Sequence, residues 1–367
     1  MTPARVEGLE VAAYTIPTDA PESDGTLAWD STTIVVVHAS GGGHRGLGYT
    51  FCHGAAAVLV RDKLAPIVTG LDAMDVPGAY GAMVGALRNI GRPGIGSCAI
   101  SAVDVALWDL KARILEVPLA ALFGRVRDGV PVYGSGGFTS YDPDRLAEQL
   151  GGWVSTGIGS VKMKVGRDPE DDPTRVAVAR DAIGPDARLM VDANGAYDRK
   201  QATEMAVAFS RLDVGWFEEP VSSDDLTGLH LVRDEAPAGM EVAAGEYGYD
   251  AWYFRRMLDA EAVDVLQADA TRCGGYTGFL AAAAECSARS MPLSAHTAPA
   301  LHLPAASAAE PLRDMEYFHD HVRIERMLFD GVPEPRDGRL YPNLDQPGIG
   351  FELKEADARR FAAGGSA

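Results

Sequence analysis

Four cysteines are scattered through 367 residues, at positions 52, 98, 273 and 286. They form no C-x-x-C pair and no zinc-like spacing, so they read as free thiols of a reducing compartment. No apolar run approaches the length of a membrane span. Residues 1–14 lack the charged-then-apolar order of a signal peptide, and a cytoplasmic location is expected. Basic residues come singly or in pairs, and the net charge is -19. With no basic patch, nucleic acid is excluded as a partner. The glycines at 41–43 are not followed by Lys-Ser or Lys-Thr and have strand-like segments on both sides. They predict a hairpin rather than a phosphate loop.

What is present is a core-forming chain. Hydrophobic residues make up 47% of it, which excludes disorder. The length suits one large domain with an appendage, or two domains. Strands are predicted at 6–16, 32–39 and 46–51. Between them, residues 17–31 are rich in Pro, Asp, Ser and Gly and carry Trp29, so they read as a long loop, disordered or functional. Helices follow at 54–67, 80–89 and 97–115. In the last, Ile100, Val103, Leu107, Leu110 and Ile114 share one face.

From residue 130 the texture changes to strand–helix repeats. Strands are predicted at 130–135, 160–165, 189–192, 214–218, 241–245, 263–269, 292–296 and 313–317, with helices between them. Asp142 and Pro143 mark one helix start. Eight such units imply a closed parallel barrel, with its site at the C-terminal strand ends.

Strand 160–165 places Lys162 and Lys164 on one face. Two adjacent ammonium groups lower each other's pKa, which makes a lysine usable as a base. The strand ends read in order give Lys164, Asp192, Glu218, Glu246, Asp269, His296 and Glu316. Asp192, Glu218 and Glu246 are three carboxylates without cysteine or histidine, a set suited to a hard cation, Mg²⁺. Asn194 either reaches the metal shell or substrate, or makes the turn before Gly195. Glu219 is expected to be a structural partner of Lys162 or Lys164. Asp269 and His296 come from neighbouring strands; the aspartate can hold one imidazole nitrogen and leave the other for proton transfer. Lys164 would face His296 across the barrel. The other histidines read as structural or surface, except His53, which lies where a substrate could enter.

These residues resemble the enolase superfamily, in particular its mandelate racemase subgroup. The matching parts are the helix around 99–113, Lys162-Met163-Lys164, Val191-Asp192-Ala193-Asn194-Gly195, Phe217-Glu218-Glu219-Pro220, Ala244-Gly245-Glu246, Asp269 with Gly274-Gly275, Ser294-Ala295-His296 and Glu316. The resemblance implies an α/β fold, a modified TIM (β/α)-barrel with an N-terminal α+β capping domain. The expected division is 1–124 cap, 125–329 barrel, and 330–367 returning to the cap. It further implies Mg²⁺ on Asp192, Glu218 and Glu246, acid/base roles for Lys164 and the His296–Asp269 pair, and Lys162 and Glu316 on the substrate carboxylate, to which Glu316 could donate a hydrogen bond if protonated. Trp29 and His53 are cap residues expected near the substrate.

The implied reaction removes the proton α to a carboxylate to give an enediolate. Loss of a β-hydroxyl would then make the enzyme an acid-sugar dehydratase. Reprotonation from the other face would make it a racemase or epimerase of a 2-hydroxy acid. A non-catalytic binding barrel is the remaining alternative, disfavoured because every strand-end residue is present. The polar character of residues 17–31 favours a polyhydroxylated substrate, and a homo-oligomer is expected.

Overall fold

The structure is a computed structural model that describes residues 4–363. It begins with an antiparallel sheet of β1 (Val6–Ser23), β2 (Ala28–Gly41) and β3 (His44–Phe51), in that order. Gly42 and Gly43, at φ +57 and +77, make the two-residue turn of the expected hairpin.

Residues 17–31 are not the expected loop. They extend β1 and β2 into one long hairpin, with Pro17 opposite Ser31, Glu22 opposite Trp29 and Ser23 opposite Ala28. β1 is an edge strand, where proline costs no ladder donor. Asp24 turns the tip, its Oδ1 accepting the N–H of Thr26 at 2.6 Å and of Leu27 at 2.7 Å. The polar composition that reads as loop is therefore edge and turn chemistry.

The expected helix at 54–67 is broken into α1 (Ala55–Leu59), a π-helical turn at Val60–Leu64 and α2 (Ala65–Val68). Next come α3 (Val76–Ala86), α4 (Ile95–Ile114) and α5 (Leu119–Phe123). α4 is buried along most of its length because it lies between the sheet and the barrel. Its approach to β3 depends on missing side chains: a Cβ on Gly46 would stand 2.3 Å from the Ala106 carbonyl oxygen. On its other side Asp104 accepts the Thr277 N–H at 3.0 Å and hydroxyl at 2.6 Å.

Strands and helices then alternate: β4 (Val130–Gly136), α6 (Pro143–Ser155), β5 (Ser160–Lys164), α7 (Asp172–Ile183), β6 (Arg188–Asp192), α8 (Arg199–Ser210), β7 (Val214–Glu218) and α9 (Leu226–Glu235). They continue as β8 (Glu241–Ala244), α10 (Ala251–Asp259), β9 (Val265–Ala268), α11 (Gly275–Ser287), β10 (Leu293–Ala295), α12 (Pro299–Ala308), β11 (Leu312–Phe318) and α13 (His319–Leu328). β4 to β11 pair in parallel in sequence order, and β11 pairs with β4 to close the barrel. Asp142 caps α6 as expected, accepting the Arg145 N–H.

Inside the barrel Tyr133, Met190, Trp216, Ala243 and Val265 form a buried apolar plug. The period of two then puts Asp192 and Glu218 on the same inward faces, one step nearer the C-terminal end. After β12 (Phe329–Asp330), the segment β13 (Arg339–Leu340) adds antiparallel to β4. The chain then runs through β14 (Glu352–Leu353) and α14 (Glu355–Ala358). It touches α4 where the Ile349 N–H meets Asp109 at 2.6 Å, and β3 where Glu355 pairs with Arg45 at 3.1 Å. No described helix is long and apolar enough to cross a membrane.

Candidate active site

The strand ends converge. Asp192 at the end of β6, Glu218 at the end of β7 and Glu246 just past β8 offer carboxylate oxygens all within 4.8 Å of one another. All three are buried, and Glu246 Oε2 accepts no hydrogen bond. Burial and the adjacent Asp192 push the Glu218 carboxyl up to about 8. Three buried carboxylates crowded this closely are what a hard cation would relieve, so the residues fit a divalent ion.

Both lysines point into this group. Lys162 Nζ donates to Glu218 Oε1 at 2.6 Å and Oε2 at 2.7 Å, and lies 2.9 Å from Glu316 Oε1. Lys164 Nζ donates to Asp192 Oδ2 at 2.5 Å. Lys162 does lower Lys164 as expected, but the net lowering of the lysine pKa values is not found. Burial pulls each down, but the carboxylates outnumber the ammonium groups and hold both above the ordinary lysine value. A cation on the carboxylates would withdraw that support.

Glu219 pairs with neither lysine, contrary to expectation. Its backbone is left-handed at φ +37, Oε1 is buried without a partner, and burial with the charges of Glu246 and Asp192 raises its pKa well above normal. The lysines are already held by Glu218, Glu316 and Asp192. The condition under which Glu316 could donate, a protonated carboxyl, is not met. Burial would raise its pKa, but Lys162, His296 and Lys164 together bring it down to about 2. As a carboxylate it accepts the Ser135 hydroxyl at 2.6 Å and the Thr297 N–H at 3.1 Å.

On the other side of the carboxylates stands the histidine pair. His296 Nδ1 is 2.9 Å from Asp269 Oδ2, and its Nε2 faces Glu246 Oε2 at 3.2 Å. Asp269 is held by the Thr271 N–H at 2.6 Å. Burial lowers the His296 pKa, but Glu246, Glu316 and Asp269 carry it up to about 10. Asn194 makes the turn: its backbone is left-handed at φ +47, its N–H donates to Asp192 Oδ1 at 2.9 Å, and its own Oδ1 is unpartnered.

The cap residues are less direct. The Trp29 indole donates to Glu22 Oε2 at 2.8 Å, and its ring meets Phe138 edge-on at 5.6 Å. His53 is exposed, and its Nδ1 accepts the Ala55 N–H. The hairpin tip itself lies on the barrel mouth. A Cβ on Gly25 would come within 2.7 Å of the carbonyl oxygens of Val165 and Ala193.

Sequence reasoning missed Arg272. It lies 3.1 Å from Glu246 Oε1 and 3.6 Å from Asp269 Oδ2, bridging the carboxylate group and the histidine pair. The only signal was its place three residues after Asp269. Trp216, which donates to Glu218 Oε2 at 2.9 Å, was also missed because it reads as plain core.

Residues 11–124 match the family profile described as mandelate racemase / muconate lactonizing enzyme, N-terminal domain, and residues 145–357 match enolase C-terminal domain-like. The chain belongs to the mandelate racemase/muconate lactonizing enzyme family. Within it, the chain is 55% identical to a solved mandelate racemase/muconate lactonizing enzyme-like protein from Rubrobacter xylanophilus, with TM-score 0.96, over 98% of this chain and 100% of that one. It is 33% identical to 3,6-anhydro-alpha-L-galactonate cycloisomerase of Streptomyces coelicolor, over 98% of this chain and 100% of the relative. It is 32% identical to L-talarate/galactarate dehydratase of Salmonella typhimurium, over 97% and 91%. A structure of that dehydratase is described as liganded with Mg and L-lyxarohydroxamate; it has TM-score 0.89 and 29% identity, over 99% and 94%. The chain is thus an enzyme of the enolase superfamily, with a barrel and cap of the family's kind.

Proposed function

We propose that the protein is a Mg²⁺-dependent acid-sugar dehydratase. The observation that carries this reading is the placement of two proton-transfer groups, Lys164 and the His296–Asp269 pair, around one carboxylate trio. Asp192, Glu218 and Glu246 would hold the ion. When bound, Mg²⁺ supplies positive charge against the negative charge that builds on the substrate carboxylate.

The chain's own residues account for the rest. Lys162, fixed between Glu218 and Glu316, supplies a second positive charge toward the same carboxylate. Lys164 or His296 takes the α-proton, and the C–H electron pair moves into the enediolate. The enediolate electrons then form the Cα–Cβ double bond as the β carbon–oxygen bond breaks, and the departing hydroxide takes a proton from His296 or Lys164 to leave as water. The resulting enol tautomerises to a 2-keto acid. Asp269 orients His296 by holding Nδ1, so that Nε2 carries the transferable proton.

The dehydratase relative supports an acid-sugar substrate. A racemase or epimerase is the second reading, favoured by the presence of groups on both sides of the trio. Incubation with Mg²⁺ and a panel of aldonic and aldaric acids tests the choice. Formation of a 2-keto acid from at least one member is expected. Solvent-deuterium uptake at Cα with no keto acid from any member would replace the dehydratase with the racemase.

The same reading includes a cytoplasmic homo-oligomer. The four free cysteines support the compartment. Exposed Ile90, Ile95, Tyr247 and Trp252 support the assembly, since the segments before α4 and α10 adjoin through Arg92–Asp250 at 3.3 Å. Light scattering of the purified chain checks it.

A further inference from the structure

A second set of ligand-type side chains meets outside the barrel, where the hairpin crosses the start of α13. Asp19, Glu22 and His319 place carboxylate and imidazole atoms within 4.8 Å of one another. His319 Nε2 is 3.1 Å from Asp19 Oδ2. Glu22 is only 1% exposed; Oε2 accepts the Trp29 indole, while Oε1 is buried with no hydrogen-bond partner. Next to it Asp320 is also buried, with Oδ1 on Arg323 and Oδ2 unpartnered. A buried carboxylate oxygen without a partner is costly. Burial and the charge of Asp320 accordingly push the Glu22 carboxyl up to about 8.

The neighbouring cations do not resolve this. Arg145 reaches Asp19 Oδ1 at 3.5 Å, and Arg323 is engaged by Asp320 and the Pro17 carbonyl. Neither reaches Glu22 Oε1. Asp19 and His319 line a cleft of about 610 Å³ that also carries Asp142, Asp144 and Glu148, so a cation can approach from their side, with Glu22 buried behind them. The donor set differs from that of the barrel: one imidazole with two carboxylates suits a borderline transition-metal ion rather than Mg²⁺.

We propose that Asp19, Glu22 and His319 form a second divalent-cation site of the Zn²⁺ type, distinct from the carboxylate trio in the barrel. Asp19 and His319 already meet at 3.1 Å, and Glu22 completes the set from the buried side. The ion ties the β1–β2 hairpin to the β11–α13 junction. It thereby fastens the tip that rests on the ends of β5 and β6.

Equilibrium dialysis of the full chain against Zn²⁺ at saturating Mg²⁺, with metal counted by mass spectrometry, tests the site. One Zn²⁺ per chain is expected for the wild type. Glu22→Gln and His319→Asn should each weaken it by at least about tenfold, the loss produced when even an outer partner of a metal ligand is removed. Co²⁺ in place of Zn²⁺ should give visible absorption bands in the wild type that His319→Asn abolishes. His319 is only partly buried, so that variant stays informative if Glu22→Gln folds poorly. Equal Zn²⁺ binding by the wild type and His319→Asn, or none by the wild type at micromolar Zn²⁺, overturns the proposal. Glu22 would then be a neutral buried acid.

Discussion

Lys164 Nζ lies 2.5 Å from Asp192 Oδ2, so the lysine proposed to take a proton is ion-paired with a carboxylate proposed to bind the metal. Charge on the trio and basicity of the lysine are therefore linked. A cation that satisfies Asp192 removes the main partner that stabilises the Lys164 ammonium.

Metal binding should register in stability. Mg²⁺ held by the folded trio, as proposed, and not by the unfolded chain should add about 2.7 kcal/mol at one hundred times its dissociation constant. Thermal melts with and without Mg²⁺ measure this. Glu218→Gln and Glu246→Gln should abolish the shift. Asp192→Asn should do the same and also leave Lys164 unpaired. An unchanged Mg²⁺ shift in all three variants would place the ion elsewhere.

The two proton-transfer groups should separate by stereochemistry. In D₂O, Lys164→Ala should stop α-proton exchange for substrates of one α-configuration, and His296→Asn for the other. Each loss should be about 10²- to 10⁴-fold. Asp269→Asn should resemble His296→Asn in milder form, because it disturbs the nitrogen that Asp269 holds at 2.9 Å. Full turnover of every accepted substrate by Lys164→Ala would leave lysine only an electrostatic role.

The hairpin tip offers a test of the cap. Gly25→Ala puts a methyl within 2.7 Å of two backbone carbonyl oxygens that cannot swing aside. The tip should lift, with an overpacking cost of about 1–3 kcal/mol at that contact. Raised KM with little change in melting temperature is expected. Wild-type kinetics would show that the tip does not shape the site.

Glu325 gives a pH signature remote from the metal. It is fully buried and takes the Tyr49 hydroxyl at 2.5 Å; burial pushes its carboxyl from 4.5 up to about 8. The folded state thus keeps a proton that the unfolded chain releases between those values. This contribution to stability is complete below the lower value and lost as pH rises through the upper one, at up to about 1.4 kcal/mol per unit. Urea denaturation at pH 5 to 9 should show a shallower decline for Glu325→Gln than for the wild type. Parallel curves would mean the carboxyl is not neutral in the fold.

Much of the barrel and its site was legible from local pattern. Strand and helix periods differ, so alternation from residue 130 onward announces a parallel barrel. The period of two then assigns Asp192 and Glu218 to the inward face that also carries Met190 and Trp216. The hairpin was misread because edge-strand proline and a tip held by Asp24 have the composition of a loop.

The sequence by itself determined which charged residues close the strands, because Asp192 and Glu218 are each the next inward position after an inward apolar residue. Only the tertiary structure decided who pairs with whom. Lys162 takes Glu218 across 56 residues, Arg272 bridges Glu246 and Asp269, and Glu219 is left without a lysine. Those choices depend on barrel closure and on left-handed backbone at Asn194, Glu219 and Thr297, which aims each strand-end loop. Local periodicity carries no information about distances between strands. The balance of buried charge, which made the lysines more basic and Glu316 more acidic than expected, exists only once those strands are side by side.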